Sequence, residues 1–161
     1  MRNDLSILTA DALRAWFQYF PETGELWSRR TNKRVGFNTK RGNRSVSFKK
    51  GIYQEHRIIW ILMTGQQCPT HIDHKDGDPT NNKWNNLRQA TNAENLHNMR
   101  RPRRNTTGFK GAHRSHIKKF RARLSVGGKS VHLGYFPTPE EAHEAYMKAA
   151  TEHFGEFAKA L

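Results

Sequence analysis

The part of the sequence that most constrains the fold is residues 71–100, which read HIDHKDGDPTNNKWNNLRQATNAENLHNMR. Its first apolar residues predict a short strand that ends at Asp73–His74, and the Asp and Gly residues that follow favour a turn. Residues 86–90 predict a second strand. The sequence TNAE then forms a capping box, so a helix is expected to begin at Asn92. The predicted order is strand, loop, strand, helix.

This order can bring Asp73 together with Asn95, although they are distant in sequence, because a helix packed across a hairpin faces the end of its first strand. A carboxylate and an amide oxygen suit a hard cation such as Mg²⁺, with water and substrate phosphate as further ligands. His74 follows on the opposite side of the strand. We expect its imidazole to face solvent and to take a proton from an attacking water near neutral pH.

These residues resemble the HNH, or ββα-metal, nuclease family. The resemblance is carried by Asp73-His74, Asp76-Gly77-Asp78, Asn81-Asn82, Asn86-Leu87-Arg88, Thr91, Asn95 and Asn98. It implies that His74 is the general base and that Asn86 braces the loop and helps to orient the histidine. It also implies that Asp73 and Asn95 hold one divalent cation, Mg²⁺ with Mn²⁺ as the other option, for DNA phosphodiester hydrolysis. Asn95 stands where many relatives carry histidine.

Two alternatives remain open at this segment. Cys68, His71 and His74 follow one another at two-residue gaps that are typical of zinc ligands, but a fourth ligand and a second cysteine are missing. Arg88 is either an additional phosphate contact or an exposed strand arginine without a catalytic role.

Charge indicates a polyanionic partner. The chain has 28 Lys and Arg against 14 Asp and Glu, a formal net charge of +14, and no acidic residue between Glu94 and Glu140. Aromatic and aliphatic residues are interleaved with the basic ones, which favours nucleic acid over a membrane surface. Hydrophobic residues make up only 35% of the chain, so any core is modest and divided among short elements.

The C-terminal third predicts a separate small sheet with one helix. Residues 101–107 (RPRRNTT) have linker composition. Strands are predicted over residues 109–114, 120–126 and 130–136, joined by polar turns. Thr138 is a helix N-cap followed by Pro139 at the first helical position, and Gly155 is placed to end that helix.

Residues 108–158 resemble the AP2 family of DNA-binding domains. The matching residues are Gly108-Phe109-Lys110-Gly111-Ala112, Phe120-Arg121-Ala122-Arg123-Leu124, His132-Leu133-Gly134-Tyr135-Phe136, Thr138 to Ala142, and Ala145-Tyr146. The resemblance implies that the sheet enters the major groove and that Lys110, His113, Ser115 and His132 touch DNA. Strand alternation places Arg121 and Arg123 on the face away from the helix, where they either read guanine edges or touch only phosphates. The linker residues Arg101, Arg103 and Arg104 are expected to follow the DNA backbone.

The predicted fold class is α+β. A helix over residues 10–19 precedes an antiparallel meander over residues 24–54. Residues 56–63 suit either a buried helix or a buried strand, and we favour the helix. The expected domains are an N-terminal part of the nuclease unit (1–55), a ββα-metal nuclease core (56–100), a basic linker (101–107) and an AP2-like domain (108–161).

The expected function is a metal-dependent DNA endonuclease of a homing or phage type, acting on double-stranded DNA, with no small-molecule substrate and either monomeric or homodimeric. The single cysteine, Cys68, and the lack of a signal-peptide pattern favour a reducing intracellular compartment, in a bacterial cytoplasm or in cells that a phage infects. Two alternatives are a non-catalytic DNA-binding regulator with an HNH-like fold and a basic RNA-associated structural protein.

Overall fold

A computed structural model describes residues 8–40, 42–98, 105–117 and 119–158. The chain divides into two compact units, residues 1–90 and 91–161. Both combine small antiparallel sheets with short helices, so the predicted α+β class is confirmed. The division lies before the third helix, and the predicted domain boundaries at residues 55, 100 and 108 stay predictions. No helix in the described part of the chain has the length and apolar character that crossing a bilayer requires.

The first unit begins with helix α1 (Ala10–Trp16), whose predicted N-cap is present: the Thr9 hydroxyl accepts the Ala12 N–H at 3.3 Å. The prediction that this helix continues to residue 19 is wrong. Strand β1 (Phe17–Phe20) follows at once and pairs with β2 (Glu25–Ser28), which pairs with β3 (Lys33–Arg34). Phe17 is buried in this sheet, and an apolar residue at that spacing satisfies either periodicity.

The rest of the predicted meander forms a second three-stranded sheet, β4 (Phe37–Asn38), β5 (Arg44–Phe48) and β6 (Gly51–Gln54). Helix α2 (Glu55–Thr64) follows directly, which confirms the helix predicted over residues 56–63. It ends at Gly65, whose φ of 71° is the left-handed conformation that glycine adopts most readily. The side chains Ile58, Ile59 and Ile61 lie in the core of this unit.

Strands β7 (His71–His74) and β8 (Leu87–Ala90) form a two-stranded antiparallel sheet, as predicted. Its register places Asp73 opposite Arg88 and His74 opposite Leu87. The loop between them, residues 75–86, ends in a 3₁₀ turn at Trp84–Asn86. Ile72 and Leu87 anchor the hairpin in the core of the first unit.

The second unit begins with α3 (Asn92–Asn98). The predicted capping box is present, because Thr91 N–H donates to Glu94 Oε2 at 2.7 Å and Glu94 N–H donates to Thr91 Oγ1 at 3.2 Å. Strands β9 (Ala112–Arg114), β10 (Phe120–Val126) and β11 (Lys129–Phe136) form the predicted meander in the order β11-β10-β9. The first strand starts later than predicted, because Asn105 Oδ1 caps a turn by accepting the N–H groups of Thr107 and Gly108.

Helix α4 (Pro139–Phe154) packs against this sheet through Ala142, Tyr146 and Ala150. Its N-cap is Thr138, whose hydroxyl accepts the Glu141 N–H at 3.2 Å. The small side chains of Ala142 and Ala150 allow helix and sheet to approach closely. At Gly111, with φ +78°, a Cβ would lie 2.1 Å from the Tyr146 ring, so helix and sheet leave no room for a larger residue there.

Candidate active site and nucleic-acid face

Asn86 closes the loop that follows β7. Its Nδ2 donates to Asp76 Oδ1 at 3.0 Å and to the Asn81 carbonyl at 2.7 Å, and its Oδ1 accepts the Asp76 N–H at 3.0 Å. Its own carbonyl accepts the Lys75 N–H at 2.8 Å. One buried side chain therefore connects both ends of the loop, which is the bracing arrangement expected for this residue.

Asp76 is the second residue whose side chain holds the loop together through several hydrogen bonds. It accepts hydrogen bonds from the Asp78 N–H at 2.8 Å and from Asn81 Nδ2 at 2.6 Å, in addition to those from Asn86. Partial burial raises the pKa of the Asp76 carboxyl, but these hydrogen bonds outweigh it and lower the pKa overall. The loop is thus built around an ionised carboxylate.

His74, the predicted general base, lies at the end of β7. The expectation that its imidazole faces solvent is wrong, since the residue is only 8% exposed. Its Nε2 lies 3.0 Å from Asn82 Oδ1, because the loop folds Asn82 back over the ring. On another side the His56 ring packs edge-on at a centroid distance of 5.2 Å.

Asp73 is also buried, at 4% exposure, and it accepts a hydrogen bond from Arg88 Nε at 2.9 Å across the β7–β8 pair. Arg88 is only 9% exposed. The alternative of an exposed strand arginine is therefore wrong, because the strand register places the guanidinium against the carboxylate. The phosphate contact predicted for Arg88 stays a prediction.

Sequence reasoning did not identify two buried residues at the start of α2, Glu55 and His56. Glu55 is fully buried and accepts Arg44 Nε at 2.8 Å. Burial raises the pKa of the Glu55 carboxyl, while Arg44 and the Asn82 amide partly offset that rise. Burial also lowers the pKa of His56 to about 3, which keeps that ring neutral. The available signal was the polar pair Glu55-His56 at the start of a mainly apolar helix.

The β1–β2 hairpin packs against the loop that follows β7. The Tyr19 hydroxyl donates to the Asn82 carbonyl at 2.7 Å, and Trp84 N–H donates to the Pro21 carbonyl at 3.2 Å. A Cβ at Gly24, where φ is +75°, would lie 2.6 Å from the Lys83 nitrogen. The hairpin and the loop consequently form one packed body within the first unit.

Within residues 8–40, 42–98, 105–117 and 119–158, no group of three or more His, Cys, Asp or Glu side chains could hold a metal. The zinc alternative on Cys68, His71 and His74 is therefore wrong, and burial raises the pKa of the Cys68 thiol to about 11. The hard-cation hypothesis needs fewer charged ligands, because Mg²⁺ takes one or two carboxylates together with water and phosphate. The Asp73 carboxylate fits that chemistry. Asn95 belongs to the second unit, and its pairing with Asp73 stays a prediction.

The open face of the second unit's sheet collects basic and aromatic side chains. Directly opposed residues on neighbouring strands share a face. Arg121 is opposite both His113 and Tyr135, and Arg123 is opposite His132. Arg123 Nε donates to His113 Nε2 at 3.3 Å. The intervening Ala122 and Leu124 are buried against α4, so the predicted alternation of this strand is confirmed.

The remaining predicted DNA contacts have different positions. Lys110 is only 8% exposed, and its backbone carbonyl lies 2.8 Å from His143 Nδ1; its DNA contact stays a prediction. Ser115 lies in the β9–β10 turn, where its N–H donates to the Lys119 carbonyl at 2.9 Å. Arg101, Arg103 and Arg104 lie outside the described residues. Burial, followed by the charges of Arg123 and Arg121, lowers the pKa of His113.

Comparison with known proteins gives the following similarities. Residues 53–97 match a family model described as HNH endonuclease. An uncharacterized HNH endonuclease of Acanthamoeba polyphaga mimivirus is 32% identical over 115 residues, covering 70% of this chain and 59% of the relative. Protein 3.8 of Escherichia phage T7 is 42% identical over 60 residues, covering 36% of this chain and 49% of the relative. The chain thus spans between half and three fifths of these relatives' lengths.

Among solved structures, the HNH homing endonuclease I-HmuI, described for DNA binding and cleavage, covers 87% of this chain and 78% of its own. It has a TM-score of 0.45 and 23% sequence identity.

Proposed function

We propose that this protein is a divalent-metal-dependent DNA endonuclease of the HNH type, with residues 71–98 as its catalytic segment. The observation that carries the proposal is the juxtaposition of Asp73 and His74 at a strand end beside a loop braced by Asn86. Those three residues lie inside the segment that matches the HNH endonuclease model. The same residue types at scattered positions would be ordinary turn formers.

In the proposed mechanism, His74 takes a proton from the water that attacks the scissile phosphorus. The attacking water would reach the imidazole at the small part of His74 that remains exposed. Asp73 and Asn95 would hold the cation, and Arg88 orients the Asp73 carboxylate through the 2.9 Å hydrogen bond. When bound, a divalent cation supplies positive charge that offsets the charge building up on the phosphate oxygens.

We further propose that the second unit targets the nuclease in the manner of an AP2-like module. Its open face presents His113, Arg121, Arg123 and His132 on a rigid sheet. Such side chains are suited to phosphates and to guanine edges in the major groove. The double-stranded DNA partner follows from this face and from the formal net charge of +14.

A second candidate is a non-catalytic DNA-binding protein. Burial of His74 and pairing of Asp73 with Arg88 favour it, because both predicted catalytic groups already have protein partners. Cleavage of supercoiled plasmid in Mg²⁺ or Mn²⁺ separates the candidates. We expect the wild type to nick or linearise the plasmid, and His74→Ala to lose cleavage by about 100-fold or more, the usual contribution of a general base.

His153→Ala is the matched control, because His153 is an exposed histidine on α4 and should leave cleavage unchanged. Equal cutting by the wild type and His74→Ala, or no cutting in either metal, would overturn the catalytic assignment. Sequencing the product ends would then show strand choice and site. A preference for structured RNA over duplex DNA at matched salt would overturn the proposed DNA partner.

A further inference from the structure

An exposed tryptophan ends helix α1, at the point where the helix meets the β1–β2–β3 sheet. Trp16 is 45% exposed. Its ring packs almost perpendicular to the Phe48 ring at a centroid distance of 5.6 Å, and Phe48 packs on Phe17 at 5.7 Å. Because Phe17 and Phe48 are buried, the indole is anchored to the core of the first unit. An aromatic ring that is both anchored and accessible can stack on another flat ring.

Exposed cations lie next to this indole. The Arg29 N–H donates to the Trp16 carbonyl at 2.9 Å, and Arg29 Nε donates to the Phe17 carbonyl at 3.1 Å. Lys49 Nζ lies 5.5 Å from the centroid of Phe48, the ring against which Trp16 packs. Both cations and the basic residues that follow them in the chain are exposed. We call Trp16 and these four residues the indole surface: Arg29, Arg30, Lys49 and Lys50.

The nearest acidic side chains along the described chain do not neutralise the indole surface. Three of them form ion pairs with other residues: Asp11 with Arg14 at 3.7 Å, Glu25 with Arg34 at 3.0 Å, and Glu55 with Arg44 at 2.8 Å. Glu22 lies in the β1–β2 turn, at the opposite end of that hairpin. The indole surface therefore has an excess of positive charge, and its complement is an anionic ligand with flat rings.

We propose that the indole surface binds an unpaired segment of a DNA strand, with one base stacked on Trp16 and the adjacent phosphates near the cations. Single-stranded nucleic acids are bound by this combination of aromatic rings and positive charge. In a duplex the bases are stacked on one another, so only the phosphates would be available to this surface. The choice of DNA over RNA rests on the proposed function, in which the same unit cuts DNA.

The contact can be observed in the wild-type chain. The sequence contains four tryptophans, so ¹⁹F NMR of protein labelled with fluorotryptophan gives few signals, and the one missing in Trp16→Phe identifies Trp16. We expect a dT oligomer of about 12 nucleotides, within the usual size of a single-stranded site, to shift that signal. A duplex of the same length at the same salt should leave it nearly unchanged.

Trp16→Ala removes the proposed stacking partner. Anisotropy of a labelled dT oligomer measures the affinity, in an Arg123→Ala background that we expect to weaken binding by the second unit. Trp16→Ala should lower this affinity by about 5- to 150-fold, the usual contribution of one stacked base. Trp16→Phe keeps an aromatic ring and should retain most of the affinity.

Phe37→Ala is the matched control. Phe37 is an aromatic residue of nearly equal exposure, 44%, but it lies on β4 and outside the indole surface. Its loss should leave binding of the dT oligomer unchanged. Equal losses of affinity in Trp16→Ala and Phe37→Ala would mean that the position of the ring is immaterial, and would overturn the proposal.

Three other results would also overturn it: a Trp16 signal that the dT oligomer does not move, a larger shift with the duplex, or tighter binding of a matched rU oligomer. A dimer that Trp16→Ala converts to a monomer, with oligomer binding unchanged, would assign the surface to a second copy of the chain instead. If Trp16→Ala fails to fold by circular dichroism, the wild-type spectrum still decides. An uncut plasmid would contradict the proposed function alone, because binding an unpaired strand requires no cleavage.

Discussion

The loop after β7 and the open face of the C-terminal sheet use polar residues in opposite ways. In the loop, His74, Asn82 and Asn86 are buried and hydrogen-bonded to protein groups. On the sheet, Arg123 and His132 are exposed, and bulk water can reach them. Buried polar groups hold one geometry, whereas exposed cations remain available to an anionic surface.

This difference predicts which kind of measurement each region controls. Changes at these buried residues should alter folding stability and cleavage together, because their polar groups have no solvent to replace a lost partner. Changes on the sheet should alter DNA binding with little effect on stability. The following variants test that separation.

Asn86→Ala should have the largest effect, because a buried residue loses three side-chain hydrogen bonds to Asp76 and Asn81. At about 1 kcal/mol for each bond, the free energy of unfolding should fall by about 2–4 kcal/mol. Cleavage should fall with it even under conditions where the variant remains folded. Urea unfolding and plasmid cleavage measure the two effects.

The neighbouring Asn85→Ala is the control, since Asn85 is exposed and belongs to the same 3₁₀ turn. It should change stability by less than about 0.5 kcal/mol. Equal destabilisation by both variants would mean that the turn itself, and not the Asn86 side chain, holds the loop.

Arg123→Ala should have a smaller effect and only on binding. If Arg123 reads a base, affinity for the target should fall by about 1–3 kcal/mol and discrimination at one position should relax. If it touches a phosphate, binding should weaken on all sequences and the salt dependence should drop by about one ion. Salt titrations on specific and random duplexes distinguish these outcomes, and a large loss of folding stability would contradict the separation of the two regions.

The sequence predicted local structure better than it predicted partners. The capping box at Thr91, the N-cap at Thr138 and the strand alternation around Ala122 are local, and all three are present. The helix predicted to continue through Phe17 failed because an apolar residue at that position fits both helix and strand periods.

The contacts of His74 depend on residues that are distant in sequence. Its burial results from Asn82 and from His56 on α2, and Asn82 is itself held by Tyr19, far along the chain, whose hydroxyl donates to the Asn82 carbonyl. No periodicity carries that information, because it depends on how the loop folds against the helix. A residue type and its spacing could therefore identify the histidine but not its exposure.

The smallest expected effect is on the pKa of His113, which depends both on the burial of its ring and on the charges of neighbouring arginines on the sheet. Burial is the largest cause that lowers the pKa of His113, and the nearby charge of Arg123 is the next. The pKa of His113 is lower in the folded protein than in the unfolded chain, so between these two pKa values the unfolded chain binds more protons. Folding stability therefore falls as the pH falls through that range.

In Arg123→Ala we expect the pKa of His113 to rise but to stay below the ordinary histidine value, since burial remains. NMR titration measures the shift, with Arg114→Ala, on the same strand as His113, as the control. An unchanged pKa in Arg123→Ala would mean that DNA-free Arg123 points its charge away from His113, and the 3.3 Å contact between them would not persist in solution.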